Sequence, residues 1–200
     1  MQNKDIQTMG KVRNIDEELL SDNWHWLKKF TFEYQKDDGS WETQVREVYD
    51  RGNGAAILLY NKQKKTVVLT RQFRMPTYLN GNEDGMMIEA CAGVLENGNA
   101  EATIIKEVEE ETGYKIDNVK KIFESYMSPG SVTEILHFFI GQYTDTMKVS
   151  QGGGAEDEHE NIEVLEMLFS KALKMIESGE IKDAKTIMLL QYAQINKLIC

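Results

Sequence analysis

The chain has 200 residues, 41% hydrophobic and 28% charged, with a formal net charge of −10 at pH 7. That is the composition of an ordinary globular protein, and a chain this long can bury roughly 70% of the surface its unfolded form exposes, so it needs no staples. The acidic balance argues against a nucleic-acid polymer or an anionic membrane as partner, but not against a nucleotide, because a divalent cation can bridge acidic protein and acidic phosphate.

The two cysteines are Cys91, in an apolar pattern, and Cys200. They make no disulfide framework and predict a reducing, cytoplasmic setting. The polar start MQNKDIQTMGK has no signal-peptide pattern, and no apolar run reaches the roughly eighteen residues of a membrane span.

Residues 1–50 read as an N-terminal antiparallel β region and residues 51–200 as a second domain. Phe30, Phe32 and Tyr34 alternate with polar residues, Lys36-Asp37-Asp38-Gly39 is a turn signal, and Trp41 to Tyr49 resumes the alternation. The predicted hairpin is rich in rings, Trp24 and Trp26 included. Such rings suit a small sheet covering its own core and equally a dimer surface or a stacking platform for a base. After the break Gly52-Asn53-Gly54, the unbroken apolar run Ala55 to Tyr60 predicts a strand buried on both faces. Asn61 to Lys65 is a polar turn, and Thr66 to Arg74 is a second strand that closes on Arg71 and Arg74. Arginines at a strand end are usually solvated rim charges; in a phosphate-handling protein they become bidentate phosphate contacts. Tyr78 to Gly85 reads as a loop and Met86 to Ala92 as a strand running into Gly93.

The next stretch, AGVLENGNAEATIIKEVEEETGY (Ala92 to Tyr114), predicts a Gly-containing turn and a short helix that stops at Thr112–Gly113. Helical spacing sets Glu107 beside Glu110 and Glu111, while Ile104, Ile105 and Val108 form a face that can be buried. Any such run can be a solvated helix end. Here the carboxylates stand at the helix C-terminus, where the macrodipole disfavours negative charge, and clustered carboxylates repel unless a cation sits between them. Oxygen ligands without Cys or His favour Mg²⁺ or Mn²⁺ over zinc.

Farther on, Val119 to Tyr126 and Val132 to Tyr143 are strands, joined by the rigid turn Met127-Ser128-Pro129-Gly130-Ser131. Thr144 to Asn161 is a long loop in which Gly152, Gly153 and Gly154 give mobility and Glu156, Asp157, Glu158 and Glu160 give charge. It fits a plain linker or a lid delivering a carboxylate, and composition does not choose among the four. Ile162 to Met167 is a last strand; Ser170 is the predicted N-cap of a helix to Ser178, and Asp183 caps a final helix through Ile199. The mixture of strands and helices without regular βαβ alternation predicts a layered α/β/α fold with a mixed sheet.

The stretch from Gly93 to Tyr114 resembles the Nudix box, G-x5-E-x7-R-E-U-x-E-E-x-G-U, with U a bulky apolar residue. Gly93 matches the first Gly; Glu107, Val108, Glu110, Glu111, Gly113 and Tyr114 match its end. The arm between them is one residue short, Asn99 stands where the first Glu is expected, and Lys106 replaces the Arg that helps hold a catalytic Glu. Pro129, fifteen residues after Tyr114, resembles a Pro near that place in members acting on nucleoside diphosphate sugars. REVYDRGNGA, VVLTRQFR, NGNEDG, YMSPG, HFFI and GGGAEDE extend the similarity to the branch of bacterial Nudix hydrolases that cleaves GDP-mannose.

The resemblance implies a Nudix α/β/α sandwich behind a small antiparallel β region, and a homodimer that hydrolyses the pyrophosphate of a nucleotide sugar with Mg²⁺, for which Mn²⁺ can substitute. It implies catalytic carboxylates at Glu107, Glu110, Glu111 and Glu158, and metal ligands at the Ala92 carbonyl, Glu107, Glu111 and Glu158. It implies substrate contacts at Trp24, Val45, Arg46, Glu47, Arg74, Ala92, Gly93, Val94, Glu111, Glu134, Asp157, Glu158 and Lys185. An ADP-ribose or ADP-sugar pyrophosphatase shares the box, and a silent nucleotide-binding regulator would keep the fold; the intact Glu107, Glu110 and Glu111 speak against the regulator.

Overall fold

The computed structural model describes residues 10–95, 98–154 and 161–199. These divide into two compact units: one runs to Gly52 and takes in Ser128–Glu134, and the other holds Asn53–Met127 and the chain from Ile135.

The first unit is a three-stranded antiparallel sheet in the order β1 (Val12–Asp22), β2 (Trp26–Gln35), β3 (Trp41–Asp50). The predicted hairpin is β2–β3, turned at Gly39 with φ 83. Strand β1 was not predicted. Its sequence, VRNIDEELLSD, does not alternate, and it carries bulges at two places. It pairs with β2 along an antiparallel ladder flanked by cross-strand ion pairs: Lys28 to Glu17 at 3.0 Å, Arg13 to Glu33 at 2.9 Å, and Lys29 to Glu18.

The second unit is a mixed sheet in the order β10 (Glu163–Leu168), β5 (Thr66–Phe73), β4 (Gly54–Asn61), β9 (Ile135–Gln142), β8 (Lys120–Tyr126). Strand β4 is buried along its whole length, as its unbroken apolar run predicts, and it lies parallel to β9 and antiparallel to β5. Its side chains alternate between two cores. Ala56, Leu58 and Tyr60 face the helices α3 (Phe169–Ser178) and α4 (Ala184–Ile195). Ala55, Ile57 and Leu59 share the other core with Ile104 and Val108 of the box helix. One strand feeding two apolar layers makes the sandwich.

The predicted strand Met86 to Ala92 is two strands. β6 (Met86–Glu89) pairs with β5, and β7 (Ala92–Val94) pairs with β4. The cause is that β4 and β5 pair only over Leu59–Asn61 and then diverge, so the chain crosses from one to the other at Ala90–Cys91. The crossing is buried but satisfied: Ala90 N–H donates to Thr186 Oγ1 at 2.7 Å, and Cys91 C=O accepts from Ile57 N–H at 3.0 Å. A short helix, α1 (Met75–Leu79), with Pro76 in its first turn, runs into the first two residues of the predicted loop Tyr78 to Gly85.

Asp183 caps α4, its carboxylate accepting from Thr186 N–H at 2.9 Å. Ser170 does not cap α3. Strand β10 runs directly into that helix, Leu168 occupies the cap, and Phe169 N–H is satisfied by the Lys65 carbonyl at 2.9 Å. The last helix stops at Ile195, which is 77% exposed and so leaves the predicted core stripe. Among the described residues no helix is long and apolar enough to cross a membrane.

Candidate active site

The box helix, α2 (Ala100–Glu107), begins at Asn99, whose side chain accepts from Ala102 N–H at 3.1 Å. The residue that departs from the Nudix pattern therefore serves as an N-cap. At Val108 the helix widens into one π turn, Val108–Thr112, which ends at Gly113 with φ 74. This interrupts the ideal α spacing that set Glu107, Glu110 and Glu111 on one side. Glu111 is turned inward and is 2% exposed; Glu110 is half-buried and pairs with Lys106 at 3.3 Å. Lys106, standing in place of the Arg, thus still holds a box carboxylate. Glu107 is half-buried.

Gly93 of β7 lies against Glu107. A Cβ at Gly93 would sit 2.1 Å from Glu107 Oε1, so a side chain here would displace that carboxylate. Strand β7 and the box helix are thereby packed main chain to carboxylate, with Ala92 adjacent.

The start of the acidic loop is anchored to the box. Gly153 N–H donates to the Glu111 carbonyl at 2.9 Å and Gly154 N–H to the Glu110 carbonyl at 3.1 Å. Gly152 has φ 70, and a Cβ there would meet the Glu111 carbonyl oxygen at 2.4 Å. These glycines, predicted to give mobility, instead allow close approach and satisfy the carbonyls at the helix end. Asp157, Glu158 and their acidic neighbours Glu156 and Glu160 lie outside the described residues, as does Cys200.

Beside the box stands a cluster of charge. Glu89, at the end of β6, accepts from Arg74 Nε at 2.8 Å and Arg74 Nη2 at 3.2 Å, and also pairs with Lys185. Lys185 reaches Asp183 as well, at 2.9 Å. Burial opposes ionisation of Glu89, but Lys185 and Arg74 outweigh it and hold the carboxyl down at about 2. Burial likewise opposes the charge of Lys185 and of Arg74, and the surrounding carboxylates raise both; for Arg74 these include Glu89, Glu111 and Asp183. Arg74, Glu111 and Lys185 thus share one electrostatic neighbourhood. Glu89 was not singled out from sequence, although one carboxylate in the apolar run MMIEACA was a signal. Arg71 is engaged elsewhere, with Asp84 at 3.2 Å and Glu163 at 3.4 Å.

Trp24, Val45, Arg46, Glu47 and Glu134 belong to the first unit. Trp24 is 91% exposed and stacks on His25; Val45 and Glu47 are exposed. Arg46 folds back on the Val45 carbonyl at 2.7 Å, and Glu134 pairs with Arg51 at 3.7 Å. Val94 is exposed on β7.

Among the described residues no three His, Cys, Asp or Glu side chains converge as a metal cage. The ligands that the resemblance implies, Glu107, Glu111 and the Ala92 carbonyl, offer oxygen alone, and the bare Gly93 against Glu107 leaves that carboxylate beside the backbone. Such donors fit Mg²⁺ or Mn²⁺.

Comparison with known proteins agrees with this architecture. Residues 11–49 match the GDP-mannose pyrophosphatase NudK N-terminal domain, and residues 50–190 match the NUDIX domain. A GDP-mannose pyrophosphatase of Yersinia enterocolitica is 58% identical over 94% of this chain and 98% of its own length. One of Yersinia pestis is 58% identical over 93% of both chains, and one of Klebsiella pneumoniae is 55% identical over 94% of both. The box carboxylates, the bare glycine against them and a domain match across most of the sandwich have one common account: the chain belongs to the Nudix hydrolase family.

Proposed function

We propose that this protein hydrolyses the pyrophosphate bond of GDP-mannose to give GMP and mannose 1-phosphate, as a homodimer using Mg²⁺, for which Mn²⁺ can substitute. The observation that carries the reading is the match of residues 11–49 to the N-terminal domain of GDP-mannose pyrophosphatases, since the box alone is shared with pyrophosphatases for ADP-ribose.

The Ala92 carbonyl, Glu107, Glu111 and Glu158 would hold the metal, which when bound neutralises pyrophosphate charge and acidifies a coordinated water. Glu110, kept in place by Lys106, adds to the negative field that retains the cation. Glu158 is the base that takes the water's proton, a step worth roughly 10²–10⁴-fold. Arg74 and Lys185 bring positive charge to the phosphate oxygens. Ala92, Gly93 and Val94 line the substrate with main chain, while Trp24, Val45, Arg46, Glu47, Glu134 and Asp157 contact base and sugar. The exposed ring of Trp24 suits stacking on guanine.

The test is a screen of nucleotide sugars at saturating Mg²⁺, scored by released phosphomonoester and by identification of both products. GDP-mannose should give a higher kcat/KM than ADP-ribose, because a site that hydrogen-bonds guanine's exocyclic groups leaves polar atoms unpaired with adenine. A preference for ADP-ribose would overturn the assignment.

A further inference from the structure

We propose that Glu89 is a positioning residue for substrate binding, fixing the Arg74 guanidinium and the Lys185 ammonium as one anion-binding unit for the substrate's phosphates. The inference rests on the reading above, which takes Arg74 and Lys185 as substrate contacts.

The two cations come from different elements. Arg74 follows the end of β5, and Lys185 lies in the first turn of α4. Glu89, buried between them, touches both. Its two oxygens engage the Nε and Nη2 donors of Arg74, which fixes the plane of the guanidinium. The Arg74 side chain nevertheless remains 42% exposed, so one part is held while another is accessible. Lys185 is held by Glu89 and by Asp183, and Asp183 is in turn fixed as the cap of α4. Arg and Lys side chains carry large rotamer entropy, and ordering them in advance removes that cost from binding.

A purely structural role accounts poorly for this carboxylate. The two cations outweigh the cost of burying it, but well-packed apolar side chains in place of a whole buried ionic cluster often stabilise a fold as well or better, so stability alone does not call for charge here. Charge also argues against simple electrostatics. Arg74 and Lys185 are balanced by Glu89 and Asp183, so the four ionised side chains sum to zero (+2 − 2). If only net charge governed phosphate binding, removing the Glu89 charge would strengthen it. Positioning requires the opposite sign.

The experiment is steady-state hydrolysis of GDP-mannose by the full chain carrying Arg74→Ala, Glu89→Gln, or both, with folding checked by circular dichroism. Glu89→Gln should raise KM by roughly tenfold to a hundredfold, the scale of a hydrogen bond to a charged group, with a smaller change in kcat. The double variant should fall short of the product of the two single effects, because one of the two cations that Glu89 holds is already removed while its hold on Lys185 remains to be lost. Effects that multiply, or a KM that falls in Glu89→Gln, would overturn the proposal. If Arg74→Ala leaves KM unchanged, the substrate-contact reading fails and the proposal falls with it. If Arg74→Ala raises KM and Glu89→Gln does not, that reading stands and positioning alone is wrong. Should Glu89→Gln not fold, Glu89→Asp carries the same test, since it keeps the charge but withdraws it by one methylene: a raised KM supports the proposal and an unchanged KM overturns it. If neither variant folds, Glu89 is a structural residue and the proposal is overturned.

Discussion

At Glu111 one side chain combines two demands that normally conflict. Its carboxylate is buried, yet it stands on a helix end that already carries Glu107 and Glu110. Burial of a carboxylate raises the free energy of its charged form, and a divalent cation reverses that balance. Glutamine has the same shape and can still fill the site, but it brings no charge to a metal. Glu111→Gln is therefore expected to keep its circular dichroism spectrum and lose turnover by roughly 10²–10⁴-fold at saturating Mg²⁺. Near-normal turnover would remove Glu111 from the metal set. Gly93 makes the same point from the other side, because the space a Cβ would fill is taken by the Glu107 carboxylate.

Among the elements, the end of the box helix is anchored by the start of the acidic loop, which lies beyond β8 and β9 in the chain. Gly152 has positive φ, and its missing Cβ would strike main-chain atoms of Glu111 and Thr112, which cannot swing away as a side chain would. Gly152→Ala should lower kcat by at least about tenfold, since a displacement near 1 Å at a catalytic group can cost a hundredfold. Gly130→Ala, where nothing lies within 4 Å, is the control. Equal kcat in the two variants would show that this anchoring does not matter to turnover. The junction of β6 and α4 gives a pH test. The Glu89 carboxyl falls from 4.5 to about 2 on folding, so the unfolded chain binds its proton more tightly. Its contribution to stability is complete above pH 4.5 and is lost as the pH falls through about 2. The stability gap between wild type and Glu89→Gln, followed by thermal unfolding, should be widest near neutrality and close in that acid window; a constant gap would show that the carboxylate's ionisation is not its source. Apolar patterning made β4, β5 and the buried face of the box helix legible: β4 is an unbroken apolar run buried on both sides, and the helix repeats apolar residues on one face. It could not reveal β1, whose bulged, largely exposed sequence does not alternate, nor the split of β6 from β7, which follows from β4 and β5 diverging. The π turn and the Gly152 anchor were equally hidden, because both are set by contacts distant in sequence. Glu107 and Glu111 could be named from the box; Glu89 stood outside any motif, and its meaning came only from two cations distant in the chain.

For the whole molecule, the first unit poses a packing problem. No residue of β1, β2 or β3 is fully buried, and Trp24, Val45, Leu19 and Leu20 are exposed. A three-stranded sheet needs an apolar face covered by something, and large exposed apolar groups mark interaction surfaces. In the proposed homodimer a second copy of the chain would supply that cover, and two-fold symmetry would let Trp24 or Arg46 of one subunit complete the other's site. Light scattering should give a dimer at micromolar concentration. Complementation then tests whether the sites are shared. Arg46→Ala and Glu111→Gln should each be impaired alone. Mixed, unfolded and refolded together, they form heterodimers in which one site takes intact Glu111 from one chain and intact Arg46 from the other. Random assortment then restores up to about a quarter of wild-type activity, half the dimers being mixed with one good site in two. If Arg46 instead serves its own subunit, each site in the heterodimer keeps one lesion and no activity returns. A fully active monomer would contradict the dimer itself and leave the exposed rings of the first unit to the substrate alone.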